Sequence, residues 1–176
     1  DKLTKSLVLT GMMGVGKSTI GKSLAKKLSF NFVDMDHLVE MKEGCSINII
    51  FKKKGEDYFR DLEKKLTLKE LDDDFKKVIA LGGGAFLNKP IRGSIKNKAI
   101  SFWLDVNPAL LIKRLKKTKK RPLLFNKNLS ETVKQIYLGR KKIYSKADYR
   151  IKCNSLRKEI IINKIIKLYE NERNKI

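Results

Sequence analysis

Apolar runs of strand length alternate along the chain with segments whose apolar residues recur every three or four positions. Leu7-Val8-Leu9 is a short buried-strand run, Phe32-Val33 a second, and Val78-Ile79-Ala80-Leu81 a third. Ile100-Ser101-Phe102-Trp103-Leu104 is a fourth, and Tyr149-Arg150-Ile151 a weaker fifth. Ile20, Leu24 and Leu28 share one helical face, and Phe59, Leu62 and Leu66 share another. Asn107 before Pro108 reads as an N-cap with proline at the first helical position, opening a helix over 108–117 through Leu111 and Leu115. Ile161, Ile165, Leu168 and Tyr169 predict an amphipathic helix at the end of the chain. Strands alternating with helices predict an α/β fold: a three-layer α/β/α sandwich on a five-stranded parallel sheet. Ligands of such sheets bind beyond the carboxyl ends of the strands. There is no internal repeat, and three prolines leave little room for a linker, so residues 1–176 are expected to form one domain.

Composition narrows the class. A chain of 176 residues can bury about 70% of its unfolded surface, enough for a core without disulfides or metals. Cys45, Cys153 and the single histidine, His37, supply neither a disulfide framework nor a zinc site. No apolar run approaches the roughly 18 residues of a membrane span, and the charged start is no signal peptide. Asp1 in first place reads as a trimmed or internal start. The expectation is a cytoplasmic monomer with reduced, inert cysteines and no membrane partner.

Charge changes this picture less than its size suggests. Lys plus Arg is 41 against 19 acids, a net charge of +22, which attracts polyanions. The basic residues are nearly all Lys, spread over a chain also rich in Ile and Asn, as a codon bias toward AT-rich triplets would leave them. Proteins that read nucleic acid cluster Arg with interleaved aromatics, and neither is seen, so no nucleic-acid partner is expected.

The chemistry begins where the first strand ends. Gly11-Met12-Met13-Gly14-Val15-Gly16-Lys17-Ser18-Thr19 fits G-x-x-x-x-G-K-[ST] in its required setting of strand, glycine loop and helix. Such a loop turns successive N–H groups inward around phosphate oxygens, and the helix behind it adds its positive end. Lys17 supplies a point charge for the β- and γ-phosphates, and the Ser18 hydroxyl can ligate Mg²⁺. ATP with Mg²⁺ is therefore expected. The third strand ends in Gly82-Gly83-Gly84 with no acid, so the second carboxylate must come from elsewhere. Asp34 and Asp36 follow the second strand. If that segment is extended, both point to one side. The alternative is that Asp36 caps a helix His37–Met41.

Further motifs follow: Ile50-Phe51, Gly55-Glu56, Phe59-Arg60 with Glu63, Leu81 to Gly84, Arg121-Pro122-Leu123-Leu124, and Arg140 with Tyr144. Only eight of the 41 basic residues are Arg, so Arg60, Arg114, Arg121 and Arg140 stand out as positions that need a planar fork. Glu63 lies one helical turn from Arg60, close enough to hold its guanidinium. From Leu7 to about Ile151, in order and spacing, this set resembles the shikimate kinase family, of P-loop kinase type. The resemblance implies ATP-dependent phosphorylation of the 3-hydroxyl of shikimate, in the route to chorismate and aromatic amino acids.

By that resemblance, residues of about 36–63 form a helical substrate-binding segment and about 114–128 a lid. Arg60 and Arg140 take the substrate carboxylate, because guanidinium offers paired donors that Lys lacks. Gly82, Gly83 and Gly84 let backbone approach the substrate, and Phe51 and Phe59, with Ile47, line its pocket or pack as core. Asp36 orients the acceptor hydroxyl, Asp34 and Ser18 serve Mg²⁺, and Lys17 the phosphates. Arg114 stacks on adenine, Arg121 reaches the transferring phosphate when the lid closes, and Asn154 falls in the adenine-side loop. Two alternatives remain open: another small-molecule kinase, of gluconate or nucleoside monophosphate type, and a basic module without catalysis. His37, Trp103 and the Lys52-Lys53-Lys54 run read as capping, core and solvated surface respectively.

Overall fold

The computed structural model describes residues 5–117, 128–154 and 156–175. Arg121 and the rest of the 118–127 stretch lie outside the described residues, as does Ser155. Five strands form one parallel sheet in the order β2-β3-β1-β4-β5. They are β1 (Ser6–Thr10), β2 (Asn31–Asp34), β3 (Lys77–Ala80), β4 (Ala99–Asp105) and β5 (Tyr149–Lys152). Every residue of β1, β3 and β4 is buried. That is why those three read as continuous apolar runs, whereas β2 and β5, at the sheet edges, show only fragments of one.

Helices cover both sides of the sheet. They are α1 (Lys17–Leu28), α2 (Met35–Glu43), α3 (Ile47–Asp72), α4 (Lys89–Lys98), α5 (Pro108–Lys116), α6 (Leu129–Tyr144) and α7 (Lys158–Arg173). α1 packs with α7, and α3 with α4. The expected Asn107–Pro108 start is present: the Asn107 side chain accepts from Ala109 N–H at 2.9 Å. The same device opens α4, where Asn88 accepts from Ile91 N–H and Pro90 follows. The reading of apolar periodicity passed over that helix because it buries only Ile91 and Ile95.

One expectation changes. The Asp34-Met35-Asp36 segment is not extended, because α2 begins at Met35. The cap is Asp34, which accepts from His37 N–H at 3.2 Å, and Asp36 sits in the first helical turn. The helix runs Met35–Glu43 rather than 37–41. α3 is two helical legs joined at Gly55, whose φ of 85° and ψ of 168° break the helix where a side chain would be strained. The three lysines end the first leg. They are not all merely solvated, since Lys54 bonds Glu43 at 2.8 Å, and Tyr58 beyond the kink bonds the same carboxylate at 2.6 Å.

Two cores result. The main one surrounds the sheet and includes Trp103, as expected. A smaller one, built on Val39, Ile50 and Phe59 with Phe51 and Ile47 against it, joins α2 to both legs of α3. This second core carries one wall of the site.

Candidate active site

The phosphate loop takes its shape from backbone that only glycine adopts without strain. Gly14 and Gly16 have φ of 78° and 99°, and Gly16 is the left-handed residue from which α1 starts. Met12 and Val15 point down into the core, so their contribution to a ligand is through backbone. Leu115 of α5 presses on Gly14, 3.1 Å from where a Cβ would stand. The Lys17 ammonium lies back across the loop, donating to the Gly11 and Met12 carbonyls at 2.5 and 3.1 Å. The Ser18 hydroxyl donates to the carboxylate of Asp34, whose other oxygen caps α2.

That hydroxyl–carboxylate pair suits a magnesium ion, which takes hard oxygen donors, one or two carboxylates and the phosphates of its substrate. Among the described residues no cluster of three or more His, Cys, Asp or Glu side chains could hold a metal by itself. A metal carried in with phosphates needs no such cluster.

A cavity of about 800 Å³ opens beside the loop. Met13, Gly14, Gly16, Lys17, Ser18 and Thr19 form one wall, and Asp34 and Asp36 the floor between loop and α2. Phe51, Phe59, Arg60 and Glu63 come from α3, Gly83 and Gly84 from the turn after β3, and Arg140 from α6. Elements far apart in sequence thus bring the predicted donor and acceptor residues to one chamber. Leu81 of the glycine motif also lines it, as do Glu40, Ser46 and Asn48, which were not anticipated. Glu40 accepts from Ile47 N–H at 3.2 Å and so ties the α2–α3 turn, a role with no sequence signature.

The three consecutive glycines have a further reason beside the expected approach of backbone to the substrate. None has a positive φ. Each instead leaves room for a functional side chain. A Cβ on Gly82 would stand 2.5 Å from an Asp36 oxygen and 3.1 Å from Glu63. On Gly83 it would be 3.2 Å from Arg140 Nη1 and 3.5 Å from the Met13 nitrogen of the phosphate loop. On Gly84 it would fall 2.6 Å from both terminal nitrogens of Arg60. The turn is the common surface on which the carboxylates and both guanidinium groups converge.

This gives a sharp expectation for Gly84→Ala. The backbone there is ordinary (φ −98°, ψ −8°), so alanine costs no backbone strain, and the nearest atoms it meets are the guanidinium of Arg60, the far end of a long side chain. Stability should stay within about 0.5 kcal/mol by thermal denaturation. Acceptor kcat/KM should fall by about 10–100-fold, because a displacement near 1 Å is enough for that. An unchanged acceptor KM would show that Arg60 does not need its observed place.

Arg60 is held from two sides: Nη1 lies 2.9 Å from Glu63 and Nε 3.6 Å from Glu56, with the guanidinium over the Phe59 ring at 5.1 Å. Phe59 in turn packs on Phe51 at 5.0 Å. Arg140 Nη1 is buried and has no hydrogen-bond partner among the described residues, an orphan donor on the cavity wall. Burial pushes the Glu63 carboxyl above its ordinary range; Arg60 opposes the shift and neighbouring Asp36 adds to it. The folded state therefore holds the Glu63 proton more tightly than the unfolded chain does. The Glu63 contribution to stability must fall as pH rises from the ordinary carboxylate range through the raised value. Subtracting a Glu63→Gln melting series from wild type over about pH 4 to 7 should give a declining difference, and a rising one would refute the assignment.

Outside the cavity, Gly11 and Gly82 lie beneath its lining. Arg114 is exposed on α5, next to the loop–helix contact made by Leu115. The Asn154 side chain accepts from Asn107 N–H at 2.7 Å and joins the loops after β4 and β5. Arg114 is also close enough to bear on the buried Cys153 thiol, which burial pushes up to about 11. His37 is exposed and both cysteines are unbridged.

The family model for shikimate kinase matches residues 13–170. A shikimate kinase of Thermodesulfovibrio yellowstonii is 40% identical over 97% of this chain and 98% of its own. The solved shikimate kinase of Acinetobacter baumannii, in complex with shikimate, superposes with a TM-score of 0.88 at 33% identity, covering 97% of this chain and 96% of that one. A gluconokinase of Sinorhizobium meliloti shares the fold alone, with a TM-score of 0.63 at 16% identity over 97% of both chains.

Proposed function

The chain belongs to the shikimate kinase family and is an ATP-dependent kinase with shikimate as its alcohol acceptor, and we propose that it phosphorylates the 3-hydroxyl through the residues gathered at the Gly82–Gly84 turn. The observation that carries this reading is the convergence of Arg60 and Arg140 on adjacent glycines beside the phosphate loop. Two planar cations against one turn suit a ring carboxylate, and the same cavity holds a carboxylate, Asp36, for a hydroxyl.

The steps follow from position. Arg60 and Arg140 bind the carboxylate of shikimate and fix the ring. Asp36 accepts a hydrogen bond from the 3-hydroxyl and aims its oxygen at the terminal phosphorus. As the oxygen–phosphorus bond forms and the bond to ADP breaks, the hydroxyl proton leaves toward Asp36. Phosphoryl transfer has a loose transition state, so alignment and charge neutralisation matter more than a strong base. Lys17 and the loop N–H groups hold the β- and γ-phosphates. Ser18 and Asp34 would hold Mg²⁺, which supplies positive charge to the phosphate oxygens. Arg114 serves the adenine side in this reading, with Asn154 bracing the loop beside it. Arg121, by family position, serves the transferring phosphate.

A coupled ADP-release assay with shikimate, gluconate and nucleoside monophosphates as separate acceptors tests it. Turnover should require shikimate. Turnover on gluconate or a nucleotide with none on shikimate would overturn the reading.

A further inference from the structure

We propose that Tyr144 is a positioning residue for the acceptor clamp: its phenol ties α6 to the Gly83 carbonyl and so sets Arg140 in register with Arg60. The inference rests on the functional reading above and adds a residue that touches no substrate.

The geometry is specific. Tyr144 ends α6, is fully buried, and donates to the Gly83 carbonyl at 2.5 Å. Its ring is tilted on Trp103 with centroids 5.8 Å apart. The Arg150 guanidinium also sits over Trp103 at 4.7 Å, and Asp105 holds Arg150 in turn, so the platform under Tyr144 is itself pinned. Arg140 lies one helical turn before Tyr144 and therefore shares its face of α6. Its Nη1 fills the space beside Gly83 that a Cβ would need, while Arg60 fills the corresponding space at Gly84. One residue, Gly83, thus receives the tether through its carbonyl and the clamp through its missing side chain. Among the described residues this is the one hydrogen bond between α6 and the glycine turn. Burial pushes the Tyr144 phenol up against the opposing charge of Arg140, so it remains a protonated donor through the neutral range.

Tyr144→Phe keeps the ring on Trp103 and removes the phenol's tether to Gly83 together with its polar contact to Arg140. The expected result is a rise of roughly five- to tenfold in shikimate KM, the scale of one lost buried hydrogen bond. The ATP KM and the kcat at saturating shikimate should stay within about twofold. Tyr169→Phe is the control for a merely structural loss. Tyr169 is equally buried and donates to the Lys5 carbonyl at 2.9 Å, from α7 and outside the cavity. It should lower Tm comparably and leave shikimate KM unchanged. In an Arg140→Lys background, Tyr144→Phe should add less than about twofold, because both changes remove one arrangement. An unchanged shikimate KM in Tyr144→Phe, an equal rise in ATP KM, or full additivity with Arg140→Lys would overturn the proposal. A wild-type enzyme inactive on shikimate would overturn the functional reading and this inference together, and is seen before any variant is made.

Discussion

Lys17→Ala should lower kcat/KM for ATP by roughly a thousandfold or more, on the scale of losing a preorganised charge from a transition state. The side chain has two jobs in the structure. Its ammonium closes the loop by bonding the Gly11 and Met12 carbonyls, and it places positive charge at the start of α1, where the phosphates are read. Alanine removes both, while the helix and the sheet behind it stay intact because Ile20 and Leu24, not Lys17, make the core contact. Tm should therefore change little. Shikimate binding in the absence of nucleotide, measured by calorimetry, should also survive, since Arg60 and Arg140 stand on other elements. Turnover near that of wild type would refute the loop assignment, and a joint loss of folding and activity would assign Lys17 a structural role instead.

Legibility in the sequence tracked burial and local rules. The three central strands announced themselves because both their faces are covered. β5 was weak because Arg150 and Lys152 are exposed at the sheet edge, where charge also discourages stray pairing. The phosphate loop was readable because its function is local: glycines at fixed offsets, then Lys17 and Ser18. The acceptor side is not local. Arg60, Gly84, Arg140 and Asp36 sit on four different elements, and no spacing rule links them; the family resemblance supplied what periodicity could not. Even then one reason for the glycines, room for the side chains of Asp36, Arg140 and Arg60, was legible only in three dimensions. For the Asp34–Asp36 pair the outcome was legible, since both line the cavity, but the backbone that brings them there was not. An extended segment and a helix capped by Asp36 were both open; a helix does begin, and its cap is Asp34, whose place before Met35 is an N-cap signal.

Arg60→Lys is expected to raise shikimate KM by about 10–100-fold with a smaller effect on kcat, although formal charge is conserved. In the structure the guanidinium is divided. Nη1 reaches Glu63, and both terminal nitrogens crowd the space over Gly84 on the cavity wall. A lysine ammonium has three donors on one atom but no planar pair, so while it bonds Glu63 it cannot offer a ring carboxylate a bidentate contact. Glu63 is nearly fully buried, so the ammonium should be drawn to it and away from the substrate. A charge-assisted bidentate contact is worth about 1.5–3 kcal/mol, which sets the range. The loss should be specific to the carboxylate: with the carboxamide of shikimate as acceptor, wild type and Arg60→Lys should converge in KM to within about threefold, because there is no anion left to grip. If the variant is impaired equally on acid and amide, Arg60 acts through packing on Phe59 rather than through the carboxylate. If it is unimpaired on both, the anion is bound elsewhere in the cavity, and Arg140 becomes the remaining guanidinium among the described residues lining it.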